Sequence, residues 1–220
     1  MSKIRYIFFD VGNTLLFPNR SHILAPLAAN LHPTLEEWQG VERRSKREFD
    51  QGMGAGSVDH SFWWTFYTHL LTDRNALDAR LRDALVENTQ NSGNWDQILP
   101  GTREALERIR GKYKIAVISN SDGRIDAVLR RCGIEDAFAS ITDSGIVGKE
   151  KPHPAIFEAA LKTMKAEAAD SLYVGDVYSI DYAGAVNVGM QAVVFDVAGT
   201  YRDREFQRVE SLAELETWLG

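Results

Sequence analysis

The chain has a single cysteine, Cys132, in 220 residues. One thiol cannot build a disulfide framework or a cysteine-based zinc site, and it suits a reducing compartment. Long apolar runs are missing: no stretch approaches the ~18 residues of a membrane span. The opening residues, Met1 to Asp10, reach charge too early for a signal peptide. Positive charge is in deficit, with 25 Lys and Arg against 31 Asp and Glu, a formal net charge of −6. Tracking a nucleic-acid backbone needs a basic stripe, so nucleic acid is excluded as the main partner. Repeats and low-complexity tracts are also absent. These absences leave a soluble, cytoplasmic, globular protein whose oligomeric state is open. Its hydrophobic fraction of 44% is enough for a core. Its length suits one domain, or one domain carrying a large insertion.

Short runs rich in β-branched and aromatic residues read as buried strands at Ile4–Phe9, Lys114–Ile118, Ser171–Val174 and Gln191–Phe195. Helical patterns lie between them. Thr102–Arg110 is one, and Arg124–Cys132 stops at Gly133. Pro154–Lys162 begins on proline and Ile180–Val188 stops at Gly189. A last helix opens at Ser211 with Glu214 in capping-box spacing. This alternation predicts an α/β fold, a Rossmann-like parallel sheet with helices on both faces. From Phe17 to Asn94 no strand is evident. Thr34 and Glu37 form a capping box that opens a helix over Leu35–Phe49. Gly52 to Gly56 reads as a loop, and Ser61–Leu71 and Ala76–Gln90 as further helices. This is a helical insertion, a small cap domain over 17–94, with the core formed by 1–16 and 95–220. Phe62, Trp63, Trp64, Phe66 and Tyr67 are expected mainly in the core of that insertion, with lining a pocket as the second option.

Ligands of a parallel α/β sheet bind beyond the carboxyl ends of its strands. The residues there are Asp10, then Ser119 and Asn120, then Gly175 and Asp176, with Lys151 in a loop able to reach the same edge. Neighbouring carboxylates repel unless a cation joins them, and hard oxygen donors of this kind suit Mg²⁺. A metal and a lysine together attract an anionic substrate and neutralise charge in phosphoryl transfer. An aspartate can also serve as a nucleophile.

Asp10-Val11-Gly12-Asn13-Thr14 resembles the first motif of the haloacid dehalogenase-like hydrolases, usually Asp-x-Asp-x-Thr. Ser119 in Val117-Ile118-Ser119-Asn120 resembles the second motif. Lys151-Pro152-His153-Pro154 with Ile156-Phe157 resembles the third, and Gly175-Asp176 with Asp181 the acidic fourth. The helical insertion resembles the cap carried between the first and second motifs. The resemblance implies a Mg²⁺-dependent phosphatase acting on a small phosphorylated metabolite through an aspartyl-phosphate. Asp10 is then nucleophile and metal ligand, with Asp176 and the Gly12 backbone carbonyl as further ligands. Ser119 and Lys151 hold the phosphoryl group with Asn120, while Asp181 and Thr14 support the site.

One position departs from the pattern. Phosphatases of this family carry a second aspartate where Gly12 stands; it protonates the leaving oxygen and then activates water. Such a group is worth ~10²–10⁴ in rate. Its loss predicts slow hydrolysis of alkyl phosphates with competence retained on aryl or acyl phosphates, and Gly12→Asp is expected to favour the alkyl esters. Three readings follow. In the first, another group donates the proton, Asp122 being nearest in sequence and His22 or a cap residue an alternative. In the second, the chain is a dehalogenase or a phosphonate hydrolase. The latter uses a cap lysine, and Lys46, the one lysine of the insertion, reads as a solvated surface residue in a charge-rich helix. In the third, the fold serves as a weakly catalytic binding module. A receiver-type signalling domain is more remote. His153 reads as at most a helix cap. Asp196-Val197-Ala198-Gly199-Thr200 mimics the first motif but follows the fourth, and reads as a strand-end turn.

Overall fold

The computed structural model describes residues 3–54 and 62–220. In chain order, β1 (Tyr6–Phe9) and the two-residue β2 (Phe17–Pro18) are followed by the helices α1 (Arg20–Ile23), α2 (Leu35–Gly54), α3 (Phe62–Asp73) and α4 (Ala79–Gln90). Then come β3 (Trp95–Gln97), α5 (Thr102–Arg110), β4 (Lys114–Ser119), α6 (Ile125–Arg131), β5 (Ile141–Asp143), α7 (Ser144–Val147) and α8 (Pro154–Met164). The chain ends with β6 (Ser171–Gly175), α9 (Ala183–Asn187), β7 (Gln191–Phe195), β8 (Arg208–Val209) and α10 (Leu212–Leu219).

Six strands make one sheet in the order β5-β4-β1-β6-β7-β8, every pairing parallel. Side chains alternate across it, as the period of two requires. Ile7, Phe9, Val117 and Val174 join one core with α5, α6 and α10, while Tyr6, Phe8, Ile118 and Tyr173 join another with α8 and α9. From β1 the chain runs outward through β4 and β5 on one side and through β6, β7 and β8 on the other. The crevice of a doubly wound sheet opens where the winding reverses. It therefore falls at the ends of β4, β1 and β6, the strands that end in Ser119, precede Asp10 and precede Asp176.

A third core joins Ile23, Trp38, Phe66, Tyr67 and Leu85 within the helical insertion. The Thr34–Glu37 capping box is present, with Thr34 N donating to Glu37 at 2.7 Å and Glu37 N to Thr34 Oγ1 at 3.2 Å. Four details differ from the sequence reading. Helix α2 continues through Gly54, so the start of the expected glycine loop is helical, and its Ala55 and Gly56 lie outside the described residues. The stretch expected to be strand-free contains β2, which pairs antiparallel with β3. The short strands β5 and β8 carry too few residues for a periodicity signal. The reading of Ile180 as the start of a helix also shifts: Tyr178–Tyr182 forms one wide π-type turn before α9. That turn carries Asp181 inward.

Candidate active site

The first strand delivers Asp10 into a tight loop. The Val11 carbonyl accepts from the N–H groups of Thr14, Leu15 and Leu16, and Asn13 takes a left-handed φ of 53°, a conformation asparagine tolerates. Asp10 is buried. Its Oδ1 accepts from Lys151 Nζ at 2.6 Å, and the Thr14 hydroxyl lies 3.5 Å from Oδ2, at the limit of a hydrogen bond. Burial pushes the Asp10 carboxyl up to about 7 against the opposing pull of Lys151, with Asp181 and Asp176 adding to the rise.

Lys151 uses all three of its ammonium protons. It donates to Asp10, to the Tyr173 hydroxyl at 2.7 Å and to Asp181 Oδ1 at 2.8 Å. Burial works to lower its pKa, but the two carboxylates prevail and hold it above the ordinary lysine range. Tyr173 escaped the sequence reading because an inward-facing strand tyrosine looks like any other core aromatic. Its hydroxyl proton has the Asp181 carboxylate at 3.1 Å and the Ile118 carbonyl at 3.2 Å as acceptors. The second oxygen of Asp181 accepts from Val177 N at 3.0 Å. Gly175 makes this approach possible: a Cβ there would stand 2.5 Å from Asp181 Cγ.

Asp10, Asp176 and Asp181 place one carboxylate oxygen each within 4.8 Å of one another, all three side chains buried. Three hard oxygen donors at this spacing fit a small divalent cation. Ser119, at the end of β4, is buried and lines the same cavity, whose volume is about 690 Å³. Asn120 has a structural task beside its expected one. Its side-chain amide donates to the Lys151 carbonyl at 3.0 Å and accepts from Lys151 N at 2.7 Å. The side chain thus brackets the lysine loop, and the residue also lines the cavity, with one N–H and one lone pair left over.

Lys46 requires the largest correction. It is 1% exposed, and its Nζ lies 2.7 Å from both Glu42 and Asp176. Burial works to depress its pKa, yet Asp176 and Glu42 raise it well above the ordinary lysine range. Burial pushes Asp176 up to about 6, against the pull of Lys46. The charge-rich stripe of α2 is an interface. Arg43 donates to the Ala198 carbonyl and Arg47 to the Thr200 carbonyl, each at 3.0 Å. Asp50 accepts from Ser179 N at 3.0 Å and from the Tyr201 hydroxyl at 2.7 Å. Positions 43, 46, 47 and 50 share a helix face, and that face sits on the core. The motif-like Asp196 supplies part of the platform. Its carboxylate accepts from Thr200 N and Tyr201 N within its own loop.

Asp122 is held away from proton chemistry. Burial raises its pKa, but bonds from Arg124 and Ser92 outweigh this and bring it to about 2. Ser92 Oγ donates at 2.7 Å and Arg124 at 2.5 Å. Such a group stays ionised at neutral pH. His22 is exposed in α1, and His153 caps α8, its Nδ1 accepting from Ala155 N at 3.1 Å.

The space beside Gly12 is filled. A Cβ at this position would stand 3.3, 3.5 and 3.8 Å from three ring carbons of Trp95. The indole is fixed by its own Nε1, which donates to the Thr89 carbonyl at 2.8 Å. A side chain at position 12 therefore needs this ring to give by a few tenths of an ångström. The aromatic run of α3 divides by function. Phe62, Phe66 and Tyr67 are in the insertion's core with Trp63 packed against it, Trp64 is exposed beneath Arg82, and Phe62 and Trp63 also line the cavity.

A family model described as haloacid dehalogenase-like hydrolase matches residues 4–189. The chain belongs to the haloacid dehalogenase-like hydrolases. A mouse relative, haloacid dehalogenase-like hydrolase domain-containing protein 3, is 33% identical over 217 residues, covering 90% of this chain and 83% of its own. The ribulose-1,5-bisphosphate 5-phosphatase of Halopiger xanaduensis is 29% identical over 205 residues, covering 86% and 84%. Among solved structures, a Bacillus subtilis HAD-hydrolase bound to magnesium superposes with a TM-score of 0.72 at 16% identity, covering both chains completely. The last likeness concerns the fold.

Proposed function

We propose that this hydrolase is a Mg²⁺-dependent phosphomonoesterase acting on a small phosphorylated metabolite, with 1–16 and 95–220 as its core and 17–94 as its cap. The carrying observation is the buried ammonium of Lys151, bonded to Asp10 and Asp181, beside a third carboxylate and the Ser119 hydroxyl at one end of a cavity. A phosphatase name on the Halopiger relative supports the reaction class.

An Asp10 oxygen attacks phosphorus, and the bond from phosphorus to the leaving oxygen breaks. Water then attacks the aspartyl-phosphate, releasing inorganic phosphate and restoring Asp10. Lys151 orients the nucleophile and neutralises charge on the phosphoryl oxygens, with Ser119 as a further donor. Asp10, Asp176 and the Gly12 carbonyl would hold Mg²⁺, whose charge stabilises the phosphoryl oxygens in flight. Asp181 holds Lys151.

Two competing chemistries lose support. Schiff-base formation by a phosphonate hydrolase needs a neutral amine, whereas Lys46 is kept protonated between two carboxylates. Metal-independent dehalogenation needs an aspartate nucleophile but gives no reason to keep Asp176 buried beside it. The test is hydrolysis of 4-nitrophenyl phosphate with and without Mg²⁺. The expected result is stimulation by the metal and loss of turnover in Asp10→Asn. Halide release from a haloacid in EDTA, or ligand binding without turnover across a phosphate panel, would overturn the proposal.

A further inference from the structure

The space beside Gly12, where the related phosphatases carry their second aspartate, is bordered by an indole. Trp95 packs against Gly12 and is anchored through Thr89. Its ring continues into a wall: Trp63 lies 5.6 Å from Trp95 and Phe62 lies 4.8 Å from Trp63, centroid to centroid. All three rings line the cavity that holds Asp10, Ser119 and Lys151 at its other end. The acids that line this cavity, among the described residues, are the three buried aspartates, Asp122 and Glu150. Asp10 and Asp176 are the proposed nucleophile and metal ligands, Asp181 is bonded to Lys151 and Val177 N, Asp122 is tied to Ser92 and Arg124, and Glu150 is exposed.

We infer that Trp95 is a specificity-determining residue and that the site takes phosphate monoesters of aromatic alcohols in preference to alkyl phosphates. The inference rests on the phosphomonoesterase reading and narrows it to one substrate class. Two independent features point the same way. An aryloxide departs with the electron pair of the broken P–O bond and takes its proton later from water, so it needs no donor at position 12. An alkoxide is far more basic, near the ~15.7 of water against ~10 for a phenol, and does need one. The wall offers apolar ring faces and edges within the same cavity as Asp10, and aromatic rings pack on one another by offset or edge contacts. A sugar phosphate gains from neither feature. This sets the chain apart from its Halopiger relative, named for a phosphate on a sugar.

The test is kcat/KM, with Mg²⁺, on phenyl phosphate, benzyl phosphate, acetyl phosphate and glycerol phosphate. Benzyl phosphate has the ring but leaves as an alkoxide; acetyl phosphate leaves readily but has no ring. Phenyl phosphate should exceed benzyl phosphate by ~10² or more, the value of an absent donor. Trp95→Ala should lower kcat/KM for phenyl phosphate about tenfold and leave acetyl phosphate within about twofold, and Trp95→Phe should recover much of the loss. Benzyl or glycerol phosphate turned over as fast as phenyl phosphate would overturn the inference, revealing a donor. So would a Trp95→Phe or Trp95→Ala enzyme that lowers phenyl and acetyl phosphate equally. The wild-type series requires no variant to fold. If acetyl phosphate itself is inert with Mg²⁺, the phosphomonoesterase reading is what has failed.

Discussion

Replacing Lys46 by methionine separates the charge of this side chain from its bulk. In the native protein its ammonium faces Asp176 and Glu42, all three side chains being buried. Deleting one partner of such a cluster leaves uncompensated charge and typically costs ~3–5 kcal/mol. Asp176 sets a ceiling on its own share, because it can take a proton. Neutralising a carboxyl of ordinary pKa 3.8 at pH 8 costs about 6 kcal/mol, at about 1.4 kcal/mol per unit. The rise to about 6 already accounts for about half of that, leaving about 3 kcal/mol, the lower end of the range. For a chain of this size, about 1 kcal/mol moves Tm by ~2–4 °C. Lys46→Met should therefore melt ~6–12 °C below wild type in EDTA at pH 8, and the gap should narrow at pH 6. Added Mg²⁺ should raise the variant's Tm more than the wild type's, since the metal then neutralises a carboxylate that no longer has a cation. Scanning fluorimetry or calorimetry with EDTA and with Mg²⁺ reads all four states. A variant within 2 °C of wild type in EDTA, or equal Mg²⁺ increments in both proteins, refutes the reasoning.

Other outcomes follow from the same geometry. Asp10 and Asp176 have folded pKa values of about 7 and about 6, above their ordinary 3.8, so the native state holds extra protons. Stability of the metal-free protein should fall as pH rises from about 4 to about 7. The raised lysines oppose this nowhere in that window, since their contribution is complete below their ordinary pKa of 10.5. Thermal stabilisation by Mg²⁺ should accordingly be larger at pH 8 than at pH 5, as binding then displaces fewer protons. Asp122→Asn should leave kcat within about threefold and the acid limb of the pH profile unmoved, because a carboxyl near 2 is no general acid. Gly12 also deprives the second half-reaction of a base, so 4-nitrophenyl phosphate should give a pre-steady-state burst near one nitrophenolate per site, followed by slow turnover. A linear time course in stopped flow would show that dephosphorylation of Asp10 is not limiting.

The sequence by itself determined the strand-and-helix alternation, the order of the strand-end residues, and the departure at Gly12. These are legible because they are local. Buried strands show as short continuous apolar runs, Thr34–Glu37 and Ser211–Glu214 span one helical turn, and Asp10, Ser119 and Asp176 each sit beside the strand that places them. Tertiary structure alone decided what the neighbours of those residues are. Lys46 has the surroundings of a solvated lysine in its own helix, and only the docking of α2 onto the β6 end buries it against Asp176, 130 positions away. Asn120 looks like a free amide until Lys151 folds across it. Asp122 looks like a spare acid until Ser92 and Arg124 close on it. Position 12 reads as an empty side chain, yet Trp95 fills the space. Helix and strand periodicity encode which face a residue occupies; desolvation and Coulomb interactions depend on what meets that face, and those partners come from distant segments.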